Sequence, residues 1–280
     1  MTPSLCDSLG FTLIELLVSI AVFSIVLAGI VGAFQAQLRS HNTQQRTLDM
    51  QQNVRGAAYY MTRELKMAGL DMSGSANAGI AVNADHNTIS FSMDFLGGAG
   101  DGIDNDDDGL VDEGSDGNDN NGNGLTDEPD EAEWFDGDTD DMGEQVTYTF
   151  SNDINNNGQC DGLPTESNDG TPCQIMRNGQ LLALNVDALN FVYLGVDPTN
   201  AGCENDCRLA TPIANPDNVL AVQISIVARS GPQPLVMGYA YTDRDTYRNQ
   251  QGDIILPQQN DNFRRFLLTT EVRCRNLGFN

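Results

Sequence analysis

Gly10-Phe11-Thr12-Leu13-Ile14-Glu15, with the run from Leu16 to Phe34 behind it, is the stretch that decides how this chain folds. The run is 19 residues of Leu, Val, Ile, Ala, Phe and Gly with two serines and no charge. A helix needs roughly 17–25 such residues to cross a bilayer. Glu15 is the one carboxylate at its start. A charge in hydrocarbon is costly, so Glu15 should have a partner or a task. A secretory signal would have a basic start and a small-residue cleavage site after the apolar run. Here Met1 to Leu9 holds no Lys or Arg, and Gly10 lies before the run.

The helix is expected to continue past Phe34. Val54, Ala58, Met61, Leu65 and Ala68 recur at alternating spacings of four and three, which places them on one face. Gly69 is the expected stop. One helix over 11–69, spanning a membrane in 11–34, is therefore the expectation.

Beyond Gly74 the period falls to two. Thr88 to Met93 and Gln145 to Phe150 alternate as half-buried strands do. Gln174 to Ala183 reads as a hairpin turning at Asn178-Gly179, a type I′ dipeptide. Leu189, Phe191 and Tyr193 alternate again. Val219 to Ala228, the longest β-branched run, is expected to be the central strand, and Phe266 to Val272 the last one. Pro232 to Asn260 reads as a long irregular connection in which Asp243-Arg244-Asp245 is solvated surface. A helix followed by antiparallel strands makes the fold class α+β, with the head over 70–280.

The prepilin-type start resembles that of type IV prepilins and type II secretion pseudopilins, whose signature is matched letter for letter from Gly10 to Glu15. The resemblance implies a pilin fold, with the helix packed on an antiparallel head. It implies that residues 1–10 are a leader, and that a prepilin peptidase cuts between Gly10 and Phe11 and methylates the new Phe11 amino group. It further implies that Glu15 attracts the Phe11 ammonium of a neighbouring subunit during assembly, an attraction strengthened by low dielectric. The leader departs from the family in carrying Asp7 and no basic residue, while Arg39 follows the run. Charge bias alone would favour the opposite orientation, and the motif is what places the N-terminus inside.

The order of elements, with the ending Phe266-Leu267-Leu268-Thr269-Thr270-Glu271-Val272-Arg273-Cys274-Arg275-Asn276, resembles PilW-type minor pilins and J-type minor pseudopilins. The expectation is a minor pilin in the tip or priming complex of a type IV pilus. A minor pseudopilin of a type II secretion system and a pilin-anchored, calcium-dependent adhesin are the alternatives. The partners implied are other pilin subunits and the peptidase. The location implied is the inner membrane with the head outside the cytoplasm, then the pilus at the cell surface.

The chain has 40 acidic and 14 basic residues, a net charge of −26. That balance argues against a nucleic-acid binder. The excess is local: 21 acids fall from Asp101 to Asp161, and no Lys or Arg occurs between Lys66 and Arg177.

Within an insert over 97–144, residues 101–115 and 116–130 repeat, identical at eight of fifteen positions. Each unit reads Asp-x-[Asp/Asn]-x-[Asp/Asn]-Gly-Leu-x-Asp-Glu. Oxygens at positions one, three and five converge on a hard cation, Gly at six permits the turn, and the carbonyl at seven adds a ligand. The candidate calcium ligands are Asp104, Asp106, Asp108, Leu110, Asp112 and Glu113, then Asp119, Asn121, Asn123, Leu125, Asp127 and Glu128. The pattern resembles EF-hand, dockerin and thrombospondin type 3 loops. Position twelve holds Ser115 or Asp130, not the EF-hand Glu. A weaker third loop has Asp153, Asn155, Asn157, Gln159 and Asp161 at the same spacing. Magnesium fits less well because it keeps its waters.

Six cysteines are present. Cys6 lies in the leader. Close spacing suggests the pairs Cys160–Cys173 and Cys203–Cys207, with Cys274 left over, although spacing alone leaves the connectivity open. Zinc at Cys203-x-x-x-Cys207 would lack a second ligand pair. No catalytic motif of nucleophile, metalloprotease or phosphate loop occurs, so no enzyme is expected. His41 and His86 read as surface residues, and Trp134 as an apolar anchor for the insert or an exposed contact for a partner.

Overall fold

The computed structural model describes residues 12–71, 76–82, 84–94, 139, 143–151, 153, 156–160, 173–197, 207–230 and 241–277. The chain divides into two compact units, 1–48 and 49–280. Helix α1 runs from Leu13 to Leu65, and by length and composition it could cross a membrane. In the first unit its apolar residues are exposed from Leu13 through Phe34. The two serines of the run return their hydroxyls to the backbone, Ser19 Oγ to the Glu15 carbonyl and Ser24 Oγ to that of Ile20, each at 2.7 Å. No polar atom on these side chains is left for hydrocarbon to penalise.

In the second unit the character of the helix changes with its sequence. Met50, Val54, Ala57, Ala58, Met61 and Leu65 are buried. The four larger ones contribute about 1.5–3 kcal/mol each by leaving water. The four-three pattern thus marks the packed face correctly, and Ala68 is buried beyond the helix end. The helix stops at Leu65, four residues before Gly69. Gly69 takes φ +74° and sends its N–H across to the Ser92 carbonyl at 3.0 Å. A Cβ there would collide with the Leu277 side chain.

Among the described residues the head is built on a seven-stranded antiparallel sheet. Its strands are β1 (Ile89–Ser92), β2 (Gln145–Phe150), β3 (Cys173–Arg177), β4 (Gln180–Gly195), β5 (Cys207–Arg208), β6 (Val219–Arg229) and β9 (Arg265–Arg273). The order is β1-β2-β3-β4-β6-β9, with β5 paired to the end of β4. A separate two-stranded ribbon consists of β7 (Tyr247–Arg248) and β8 (Ile254–Leu256).

Period two sorts the side chains between the sheet's faces. Leu189, Phe191 and Tyr193 of β4, with Val222, Ile224 and Ile226 of β6, join the helix residues in the main core. Ala188 and Val227 belong to the opposite face, where Tyr247, Ile255 and Leu256 pack on them. The register, Leu189 opposite Ile226 and Ile226 opposite Leu268, keeps each apolar set on its own side. The α+β expectation therefore holds, as does the turn at Asn178 and Gly179, both at positive φ.

Three expectations are corrected. The two alternating runs from Gln180 and Leu189 form one strand of 16 residues, bent by register shifts near Val186 and at Leu194/Gly195. The run from Val219 is buried along its length but lies next to the edge strand β9, not at the sheet's centre. The described part of the 232–260 connection is not irregular throughout. It carries the β7–β8 ribbon, because Tyr247, Ile255 and Leu256 have an apolar sheet face to cover.

Candidate functional site

The N-terminal end of α1 is built by Thr12 and Glu15. The Thr12 N–H and hydroxyl each lie 2.8 Å from Glu15 Oε2, and the Glu15 N–H donates to Thr12 Oγ1 at 3.4 Å. This is a reciprocal capping box, which satisfies donors that the first helical turn otherwise leaves open. Glu15 thus has an intrachain partner. The Thr-x-x-Glu spacing carried that signal in the sequence. Gly10 and Phe11 lie outside the described residues.

The other end of the helix is latched to the sheet. Arg177 Nε donates to Glu64 Oε1 at 2.9 Å and to Oε2 at 3.1 Å, and Nη2 lies 2.9 Å from Oε1. The Tyr148 hydroxyl donates to the same carboxylate. Burial, then this contact with Glu64, raises the Tyr148 pKa and keeps it a donor. One turn-region acid therefore joins α1 to β2 and β3.

Of the third cation loop, Asp153, Asn157 and Gln159 are described; Asn155 and Asp161 are not. The buried Asp153 carboxylate accepts the N–H groups of Asn157 at 2.9 Å and Gly158 at 2.7 Å, and the Asn87 amide at 2.6 Å. Asn157 Oδ1 accepts the Gln159 N–H at 2.7 Å. These bonds curl the loop around its first acid. Gly158 takes φ +78°, and a Cβ there would meet the Leu189 carbonyl oxygen at 2.6 Å. The loop is held on β4 by Leu189 N–H to Gly158 O and Cys160 N–H to Asp187 O, at 3.0 and 2.9 Å. Cys160 is bonded to Cys173, as its spacing suggested, which ties the loop to β3 as well.

Among the described residues no group of three or more His, Cys, Asp or Glu is placed to hold a metal ion. The loops at Asp104, Asp106, Asp108, Leu110, Asp112 and Glu113, and at Asp119, Asn121, Asn123, Leu125, Asp127 and Glu128, lie outside the described residues, as does Trp134. Cys207 is disulfide-bonded, while Cys203 lies outside the described residues. Cys274 is free and buried, and burial pushes its thiol pKa up to about 12.

The largest ionic cluster among the described residues was not anticipated. Arg265, with 2 % of its side chain exposed, reaches Asp187 Oδ2 through Nε at 2.7 Å and Asp243 Oδ2 through Nη1 at 2.8 Å. It grips Asp261 with two bonds of 2.7 and 2.6 Å. Arg229 Nε stands 3.3 Å from Asp187 Oδ1, and the Tyr247 hydroxyl donates to Asp243 at 3.1 Å. Asp243 is 1 % exposed, which overturns the reading of its charged run as solvated; Arg244 and Asp245 are exposed as expected. The cluster clamps the 241–263 segment to the sheet. His41 is exposed, and His86, partly exposed, has its Nδ1 2.6 Å from Asp85 Oδ1.

Residues 7–31 match the family model described as the prokaryotic N-terminal methylation motif. No curated protein matches the chain significantly. Among solved structures the chain is similar to a type IV-like pilin from Thermus thermophilus, at 14 % identity and a TM-score of 0.37, over 81 % of this chain and 97 % of that one. The chain thus carries the methylation motif on an apolar helix, ahead of an antiparallel head.

Proposed function

We propose that this chain is a minor pilin of the PilW type. A prepilin peptidase cuts it after Gly10 and methylates Phe11, and the mature chain joins the tip or priming complex of a type IV pilus. It is a structural subunit, not an enzyme. The observation that carries the reading is the match of residues 7–31 to the methylation motif on a helix apolar enough to span a membrane. The helix anchors the subunit in the inner membrane before assembly, with the head outside the cytoplasm. Its partners are other pilin subunits. Glu15, seated in its own capping box, exchanges or shares that contact with the Phe11 ammonium of a neighbour.

A tip position is favoured by the size of the head and by the 97–144 insert, since every shaft position must fit between neighbours. Calcium is the proposed cofactor of that insert. Its support is the repeated one-three-five-six-seven-nine spacing, and the related loop at Asp153 already curls round its first acid.

The deciding experiment is a deletion strain in which sheared surface pili and secreted proteins are quantified from one culture. Loss of pili with normal secretion is the expected result. Loss of secreted proteins with normal pili would assign the chain to a secretion pseudopilus. Neither defect would leave a pilin-anchored adhesin.

A further inference from the structure

We infer that the acidic, aromatic stretch 131–141 of the insert docks on an exposed cationic row of α1 in the same chain, made by Arg55, Tyr59, Arg63 and Lys66. Residues 131–141 lie outside the two repeats, so the docking stands apart from the calcium reading and from the pilus reading.

In the second unit α1 buries one face and shows another. Gln52, Arg55, Gly56, Tyr59, Tyr60 and Arg63 are exposed, as is Lys66 just past the helix end. Arg55, Tyr59, Arg63 and Lys66 follow one another at spacings of four, four and three, which sets them in one row about 16 Å long. The exposed set holds three cations and no acid, and Glu64, the one acid of 52–66, is committed to Arg177. Tyr59 is 65 % exposed and meets Tyr60 edge to face, with ring centroids 6.1 Å apart. The helix dipole favours cations in the last turn, which accounts for Arg63 and Lys66. It accounts neither for Arg55, further back on α1, nor for an aromatic ring left in water.

The insert leaves and rejoins the fold beside the end of this row. The Leu70 carbonyl accepts the Asp94 N–H at 2.7 Å, and the Glu144 carbonyl accepts the Met93 N–H at 3.1 Å. Both ends of the 97–144 insert are thus attached just beyond Lys66. The stretch 131–141, which runs into the return point, holds six acids with Trp134 and Phe135, and no Lys or Arg. Ten residues of extended chain, the separation of Trp134 from Glu144, reach up to about 33 Å, which exceeds the length of the row.

Charge and ring chemistry select this occupant. Carboxylates fit a row of guanidinium and ammonium groups, and an indole or phenyl face fits a tyrosine ring or a guanidinium plane. The repeats over 101–130 also carry acids, but at spacings that converge on a cation, and without an aromatic residue. Attachment beside Lys66 gives 131–141 of the same chain a high effective concentration at the row, which a second copy lacks.

The test uses the full chain in detergent micelles with EGTA, so that calcium takes no part. Lys66 is the chain's single lysine, and a carbodiimide joins its amine directly to a carboxylate in contact. Mass spectrometry of the digest locates the joined acid. The expected result is an amide within one chain, from Lys66 to an acid in 131–141. Reversing two exposed charges in Arg55→Glu with Arg63→Glu should lower its yield about fivefold. Lys66 reads the near end of the row, and Trp134, the one tryptophan, reads the far end. Acrylamide quenching of Trp134 should rise about twofold in the same variant, and in Tyr59→Ser, as the indole moves into water. Joining of Lys66 to acids outside 131–141, or quenching that is unchanged in both variants, would overturn the inference. So would an amide that forms between chains and rises with protein concentration, because the row would then serve a second copy.

Discussion

Glu64 holds Arg177 through two nitrogens at once, Nε and Nη2 each 2.9 Å from Oε1, and so fastens the last turn of α1 to the end of β3. Two residues 113 apart in sequence are joined by a planar fork that fits a carboxylate. The contact is partly exposed, Glu64 at 17 % and Arg177 at 30 %, so its loss costs less than that of a fully buried pair.

Replacing Glu64 by Ala should lower head stability by about 2–3 kcal/mol, because Arg177 and the Tyr148 hydroxyl both lose their acceptor. Glu64→Gln keeps an oxygen for one of them and should lose roughly half as much. Urea unfolding followed by tyrosine fluorescence reads the difference. Equal stability of Glu64→Ala and the parent would mean that the apolar helix face alone holds α1 to the head.

The cluster around Arg265 contributes an acid-sensitive step. Burial pushes Asp261 up, but the hydrogen bonds and charge of Arg265 outweigh it, leaving its pKa below the ordinary 3.8. A carboxyl lowered in the folded state contributes stability above its ordinary value and loses it as pH falls from that value through the lower folded one. Asp187 has the opposite sign, since burial outweighs Arg229 and Arg265 and raises its pKa. The acid limb is therefore assigned to Asp261. Unfolding free energy should fall as pH drops from about 5 through the lowered folded pKa of Asp261, and Asp261→Asn should flatten that fall while lowering stability at pH 7. An unchanged slope in the variant would remove Asp261 from the acid limb.

Arg265→Met should be the most damaging single change, at about 3–5 kcal/mol, because it takes the cation from Asp243 and Asp261 and leaves Asp187 with Arg229 alone. Asp243 would then face Tyr247 without a cation, and the 241–263 segment would loosen first. Faster amide exchange in β7 and β8 than in β4 would show this order. Uniform loss across the sheet would mean that the clamp is not local.

Cys274 is buried, with a thiol pKa raised to about 12, so it is protonated at neutral pH. The thiolate is the reactive form. Iodoacetamide should leave the native thiol intact for hours and label it promptly in urea. Native labelling at the unfolded rate would contradict the packing of Val272, Cys274 and Leu277 in the core.

Much of this was readable beforehand wherever one residue's surroundings follow from its neighbours in sequence. The buried face of α1, the hairpin at Asn178-Gly179 and the Cys160–Cys173 bond are of that kind. The Arg265 cluster is not. Asp243-Arg244-Asp245 has the composition of a solvated loop, and Asp243 is buried only because β9 brings Arg265 to it. Asp187 reaches the same guanidinium from β4, 78 residues away, through the β4–β6–β9 order. The contact of His86 with the adjacent Asp85 was not legible either, because a surface dipeptide gives no sign that both turn the same way.

The insert makes the last prediction. From Asp101 to Asp141 there are 18 carboxylates and no Lys or Arg. Like charges at that density repel within a Debye length of about 8 Å at physiological salt, so the insert should resist compaction without a cation. Calcium would neutralise the one, three, five and nine positions and couple ordering to binding. The full chain titrated with calcium should take it up saturably, with a change in Trp134 fluorescence. Calcium at a hundredfold over its dissociation constant should add about 2.7 kcal/mol to the stability of the state that binds it. Asp104→Ala with Asp119→Ala should abolish most of the uptake, while Asp153→Ala should remove a smaller part and also destabilise the loop on β4. Uptake that survives the first pair of changes would refute the loop assignment. Equal effects of magnesium and calcium would show only general charge screening, because two divalent ions of equal charge differ in the loops they fit, not in how they screen.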